Sequence, residues 1–136
     1  MPIITKIFNF CAAHQYGHAD WSREKNLAVF GEDADLHGHN YALEISVTGP
    51  IDPDTGYIVD LGLLSEIVRK RVLSHLDHHQ IEKDVPWFAG KQPSTENMVL
   101  FIWEQLADTL PGEVRLVNIK IQETPTIFSS YSGPED

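Results

Sequence analysis

Two histidines separated by a single residue, His37 and His39, head a stretch in which apolar and polar side chains alternate as far as Thr48. In an extended chain the side chains at i and i+2 leave the backbone on one face. Both imidazoles therefore aim at one point. A third histidine, His14, ends another alternating stretch, where Phe8, Phe10 and Ala12 share its parity. Three neutral imidazoles on rigid strands form a metal site of the catalytic type, with one coordination position left open. His14, His37 and His39 are thus the predicted metal ligands, although three imidazoles suit several divalent metals. Asp77-His78 closes a helical pattern. There a carboxylate can orient an imidazole that moves protons, or His78 and His79 can simply complement a helix C-terminus. Glu123 continues the parity of Val117, Ile119 and Ile121. A carboxylate ending an apolar face is expensive to bury without partners, which favours an anchor for the polar edge of a ligand over a residue turned outward by a bulge. Cys11 has the parity opposite to His14 and reads as a small buried filler rather than a ligand or nucleophile.

The elements that must carry these groups follow from periodicity. A half-buried strand spans 4–14, with Ile4, Phe8, Phe10, Ala12 and His14 on one face. Residues 15–36 break the alternation and predict an ordered loop containing a short helix, capped near Ser22 and stopped at Gly31. A connection of that length usually has a function. The second strand runs over about 37–48, and the turn residues Gly49-Pro50 and Asp52-Pro53-Asp54-Thr55-Gly56 follow. Asp60 caps a helix in which Leu61, Leu64, Val68, Val72 and Leu76 form the apolar stripe. A second helix starts at Ser94 or Thr95, carries Val99, Ile102, Trp103, Leu106 and Leu110, and stops at Pro111-Gly112. Strands over about 114–124 and 126–131 close the chain, with a polar tail at 133–136. The order β-β-α-α-β-β predicts an α+β fold. Trp87, Phe88 and Trp103 are assigned to core or interface.

Composition narrows the function. The chain has 136 residues and a formal net charge of −10, which predicts one domain over 1–136 and disfavours nucleic acid or an anionic membrane as partner. An anionic small substrate stays open, because a local basic pocket can serve it. One cysteine allows no internal disulfide, and no apolar run approaches a membrane span. A cytoplasmic protein is the expectation.

Taken together, six motifs in order resemble the 6-pyruvoyl-tetrahydropterin synthase / 6-carboxy-tetrahydropterin synthase family. Phe10-Cys11-Ala12-Ala13-His14 is similar to the family's F-x-A-A-H, and His37-Gly38-His39-Asn40-Tyr41 to its H-G-H-N-Y. Asp52-Pro53-Asp54-Thr55-Gly56, with Val59-Asp60-Leu61 after it, looks like its D-P-x-T-G…D-(F/L) segment. Leu76-Asp77-His78, Pro93-Ser94-Thr95-Glu96-Asn97 and Glu123-Thr124 resemble L-D-H, P-T-(S/T)-E-N and the terminal E-T. The resemblance implies a tunnelling fold (T-fold): a four-stranded antiparallel sheet with two helices on one face, assembled as a homohexamer of two trimers with a pterin pocket between subunits. It implies zinc on His14, His37 and His39, the amino-pyrimidine edge of the pterin on Glu123, Thr95 and Ser94 lining the pocket, and a proton relay at Asp77 and His78. The family's usual substrate is dihydroneopterin triphosphate, with the metal acidifying its side-chain hydroxyls. Arg23 and Lys25 are the candidates for meeting the triphosphate.

One departure stands out. Members forming the pyruvoyl or carboxy product place a catalytic cysteine shortly before H-G-H, and here that position holds Asp33. A carboxylate, with a reference pKa of about 3.9 against about 8.5 for a thiol, is the weaker base. The expected activity is therefore a zinc-dependent pterin-synthase-type lyase. The alternatives are a folate-branch homologue releasing 6-hydroxymethyl-dihydropterin, for which Glu32 and Asp33 are the relevant residues, or a non-catalytic pterin- or metal-binding homologue. A rival motif, Gly31…His37-x-His39…Glu44, matches half of the cupin metal signature. It puts Glu44 on the wrong strand face, and two long helices contradict a jelly roll.

Overall fold

The computed structural model describes residues 1–135 of the chain; Asp136, the last residue of the predicted tail, lies outside the described residues. Strand β1 (Ile3–His14) leads through helix α1 (Arg23–Phe30) and a 3₁₀ turn (Gly31–Ala34) into β2 (His37–Thr48). A helical stretch follows, composed of α2 (Leu61–Val68), a π-helical turn (Arg69–Leu73) and α3 (Ser74–Leu76). Next come the short α4 (Ile81–Asp84), a second 3₁₀ turn (Pro86–Phe88), α5 (Thr95–Leu106), β3 (Arg115–Thr124) and β4 (Ile127–Tyr131). The strands form one antiparallel sheet in the order β1-β2-β3-β4.

One sheet face carries the core. Phe8, Phe10, Tyr41, Leu43, Ile45, Ile119 and Ile121 are buried against Leu64, Val68, Val72, Leu76, Met98, Ile102 and Leu106 of the helices. Each such aliphatic side chain contributes about 1.5–3 kcal/mol by leaving water. The opposite face of β1 leaves Ile3 and Ile7 exposed, as β4 leaves Ile127 and Phe128.

The helix predicted from Asp60 to Leu76 is present but not regular. Asp60 caps it as expected, accepting from the Gly62 backbone N–H at 2.8 Å. Leu64, Val68, Val72 and Leu76 recur at every fourth residue. In a straight α-helix each such step drifts by about 40° around the axis. The π turn, closed by the Ser74 N–H on the Arg69 carbonyl, takes up that drift, and all four side chains end fully buried.

Two other expectations are corrected and one unassigned stretch is filled. The second helix stops at Leu106 rather than Leu110; the Thr109 hydroxyl and backbone N–H both bond the Leu106 carbonyl. On β3, a bulge opposite Ser46/Val47 turns Leu116 into the core in place of Val117. Residues 80–92, left without assignment by periodicity, hold α4 and the second 3₁₀ turn, which buries Phe88. The short helix in the long connection has the expected ends: Ser22 caps α1, accepting from the Lys25 N–H, and Gly31 ends it at φ 60°. Glu44 lies 3.7 Å from Lys120 across the sheet, away from the histidines, so the half-cupin motif does not assemble.

Candidate functional site

Strand register brings the three histidines together. His14 pairs directly with His37, and His39 faces Ala12, whose small side chain leaves room for the ring. Between the two β2 histidines, a Cβ at Gly38 would stand 3.1 Å from the Ala12 carbonyl, so glycine lets the strands approach closely. The ring centroids of His14 lie 4.4 Å from His37 and 5.0 Å from His39.

The tautomers can be read from the partners. His14 Nδ1 lies 3.1 Å from the Pro93 carbonyl, and His37 Nδ1 lies 2.7 Å from the Asp35 carbonyl. A carbonyl oxygen only accepts, so each neutral ring carries its proton on Nδ1 and presents a bare lone pair at Nε2. Those two Nε2 atoms are 2.8 Å apart. Two lone pairs repel at that distance unless a cation lies between or beside them. His39 Nε2 is buried without a hydrogen bond; Glu123 Oε1 is 2.8 Å away but outside hydrogen-bond alignment. His14, His37, His39 and Glu123 each offer one ligand atom, all within 4.8 Å of one another. The arrangement of two imidazoles fixed by backbone carbonyls, a third left bare and a carboxylate beside them fits a divalent metal.

Electrostatics agree with a neutral imidazole at His14. Burial, followed by the other two histidines, lowers the His14 pKa to about 4, against the opposing effect of the hydrogen bond that its Nδ1–H donates to the Pro93 carbonyl. Asp33, in the 3₁₀ turn before β2, holds Oδ1 3.4 Å from His37 Nε2. With Glu123 it brings two carboxylates to the site, matching the charge of a divalent cation. Tyr16 and Tyr41 stand against His14, and burial with the nearby Glu123 raises both phenols so that they remain protonated.

The other predicted residues are distributed as follows. Ser94 caps α5, accepting from the Asn97 N–H, and Thr95 is buried with its hydroxyl 2.6 Å from that of Ser129 on β4. This cap places the Pro93 carbonyl against His14. Arg23 is held by Asp35 at 2.7 Å, and Lys25 lies over the Trp21 ring. Arg23 also lines a cleft of about 430 Å³ with Tyr16, His18 and Trp21. Asp77 and His78 form a pair separate from the imidazole cluster, with His78 Nδ1 3.0 Å from Asp77 Oδ1. They follow α3 and run beside the β1 edge, where the His78 N–H bonds the Cys11 carbonyl at 2.7 Å and the Ala13 N–H bonds the His79 carbonyl at 2.9 Å.

Cys11 is the residue that sequence reasoning misplaced. It is half-buried, not buried, and its Sγ is 3.9 Å from Asp77 Oδ1. Parity gave its face correctly but could not show that residues 77–80 return to that edge of β1. The carbonyls of Asp35 and Pro93 were missed too, since backbone groups leave no mark in a sequence. Tyr41 carried a usable signal, because it shares the face of His37 and His39.

Comparison with known proteins accords with this architecture. The description "6-pyruvoyl tetrahydropterin synthase" belongs to the family model that matches residues 3–134. A Drosophila melanogaster 6-pyruvoyl tetrahydrobiopterin synthase is 38% identical over 136 residues, covering 98% of this chain and 81% of its own. A dihydroneopterin monophosphate aldolase of Pyrococcus furiosus is 32% identical over 115 residues, covering 85% and 83%. The solved Caenorhabditis elegans 6-pyruvoyl tetrahydropterin synthase superposes with a TM-score of 0.86 at 31% identity and 98% coverage of both chains. The sheet, the helices on one face and these neighbours define an α+β protein of the tunnelling fold. More narrowly, the chain belongs to the 6-pyruvoyl tetrahydropterin synthase family. Among the described residues, no helix is long and apolar enough to cross a membrane.

Proposed function

We propose that this chain is a zinc-dependent lyase of the pterin-synthase type, acting on dihydroneopterin triphosphate. The observation that carries the reading is the pair of bare Nε2 atoms of His14 and His37, 2.8 Å apart and fixed by carbonyls behind them. Zinc held by His14, His37 and His39 supplies Lewis acidity to the substrate's side-chain hydroxyls. Glu123, Thr95 and Ser94 take the pterin. The carboxylate of Glu123 suits two N–H donors of an amino-pyrimidine edge, which charge-assisted hydrogen bonding rewards. Asp33, 3.4 Å from His37, serves as the base, and Asp77 orients His78 for proton transfer.

The exposed Ile3, Ile7, Ile127 and Phe128, on the two edge strands of the sheet, support assembly into a homo-oligomer, a hexamer of two trimers. In that assembly the exposed His78 serves a pocket between subunits. The acidic chain disfavours nucleic acid or an anionic membrane as partner, which leaves a small molecule as the substrate, and a cytoplasmic location is part of this reading.

A second reading has its own support. Asp33 puts a carboxylate where the lead activity uses a thiol, and a 32% identical relative is named as an aldolase. On that reading the side chain is cleaved and 6-hydroxymethyl-dihydropterin is released. Incubation of zinc-loaded protein with dihydroneopterin triphosphate, followed by mass identification of products, separates the two. A pyruvoyl- or carboxy-type product supports the lyase, and a hydroxymethyl product the aldolase. Substrate that binds but stays unchanged would sink both. Asp33→Cys is the companion variant. A product and rate identical to those of the parent protein would remove Asp33 from the base position.

A further inference from the structure

A second group of metal-capable side chains lies on the other face of β1. Cys11 Sγ, Asp77 Oδ1 and His78 Nδ1 lie within 4.8 Å of one another. Asp77 Oδ1 is the hub, 3.9 Å from the sulfur and 3.0 Å from the imidazole nitrogen. A tetrahedral zinc with bonds of about 2.0 Å to nitrogen or oxygen and about 2.3 Å to sulfur sets ligand atoms about 3.3–3.6 Å apart. The observed separations bracket that range.

The backbone holds the three groups in place. The Cys11 N–H bonds Asp77 Oδ1 at 3.1 Å, and the Cys11 carbonyl accepts the His78 N–H at 2.7 Å. His78 sits at φ 64°, a left-handed conformation that a non-glycine residue adopts only when its surroundings hold it there. The group opens onto a cavity of about 420 Å³ lined by Cys11, His39, Asn40, His78 and Gln80, so an ion can reach it from solvent. Its ligands are one soft thiolate, one imidazole and one carboxylate oxygen, a set suited to zinc-class ions and poorly suited to magnesium or calcium.

The geometry points to a second, weaker binding site for thiophilic divalent cations at Cys11, Asp77 and His78. Binding releases the thiol proton to solvent as sulfur becomes a ligand. The site is weaker than the imidazole cluster because His78 is 79% exposed and must be ordered, and because Asp77 Oδ1 already accepts a backbone N–H. Occupancy ties up the pair assigned to proton transfer, so excess metal is inhibitory; this consequence rests on the role proposed for Asp77 and His78 above.

The chain has one cysteine, so any thiolate-to-metal charge-transfer band must come from this site. The test is titration of the reduced full-length protein with Co²⁺ alone, followed by optical absorption in the near ultraviolet. The first equivalent per chain should enter the imidazole cluster without a thiolate band. A later equivalent should raise that band, and Cys11→Ser should lose both band and later equivalent while keeping the first. As a measurement independent of variants, excess Zn²⁺ should slow alkylation of Cys11 by iodoacetamide. No thiolate band at any Co²⁺ ratio, or alkylation indifferent to Zn²⁺, overturns the site. Failure of the imidazole centre removes the band-free equivalent and leaves the thiolate band, so the two readings fail separately.

Discussion

Cys11 and His14 stand three residues apart on β1, on opposite faces, and the clusters built around them are opposite in design. The His14 cluster is rigid from behind: each of two rings is fixed by a backbone carbonyl, and the lone pairs converge because the β1/β2 register leaves them no other direction. The Cys11 cluster is held from beside, by a chain segment returning along a strand edge, and its imidazole stands in water. The lesson concerns where specificity is stored. A buried set fixes ligand orientation before anything binds, whereas an exposed pair keeps the freedom that a proton-transfer group needs.

That contrast can be broken most severely at His37. His37→Ala removes one converging lone pair, and the expected outcome is loss of stoichiometric divalent metal by elemental analysis and turnover at background. Retention of full metal would show that the ring is not a ligand. His78→Asn should lower turnover by about 10²–10⁴-fold with the first metal equivalent and the urea midpoint unchanged, since its side chain is exposed and lies outside the imidazole cluster. A matching loss of stability would mean that the pair is structural.

The buried side of the comparison has a signature in pH. The His14 pKa falls from 6.5 to about 4 through burial. Below pH 6.5 the unfolded chain therefore takes up a proton that the folded chain refuses. Metal-free protein should lose up to about 3 kcal/mol as pH falls from 6.5 to 4, with no loss from this group above or below that window. Urea midpoints at pH 7, 5 and 4 measure it. Bound metal excludes that proton more strongly, so it should raise the midpoint at pH 7 and steepen its fall on acidification. The smallest expected effect decides the role of Glu123. Glu123→Gln should keep the metal and weaken pterin binding by about 10–100-fold; loss of metal instead would make the carboxylate a fourth ligand.

Much of this was legible in the sequence wherever side-chain parity decides the outcome. The faces of β1 and β2, the convergence of His14, His37 and His39, the caps at Ser22 and Asp60, and a helix start at Ser94 or Thr95 follow from local rules. The bulge that exchanges Val117 for Leu116 does not, because pairing with β2 selects the residue that turns inward. Nor do α4 and the turn at Pro86–Phe88, which are too short for periodicity to show. At the site, the unforeseen contributions were the carbonyls of Asp35 and Pro93 and the return of residues 77–80 to Cys11. Each depends on tertiary approach and has no side-chain pattern to announce it.

The π turn at Arg69–Leu73 gives the chain an unusual tolerance of length at one point. It holds one residue more than a regular α-helix would between the cap at Asp60 and the tip that delivers Asp77 and His78. Deleting a solvent-facing residue such as Lys70 closes the turn into α-helix and leaves Leu64, Val68, Val72 and Leu76 at the 4-3-4 spacing of a single apolar stripe. The same deletion in the regular turns of α2 would rotate everything after it by about 100° of helical phase and take Leu76 out of the core. Residue count can therefore change at this turn where it is fixed on either side.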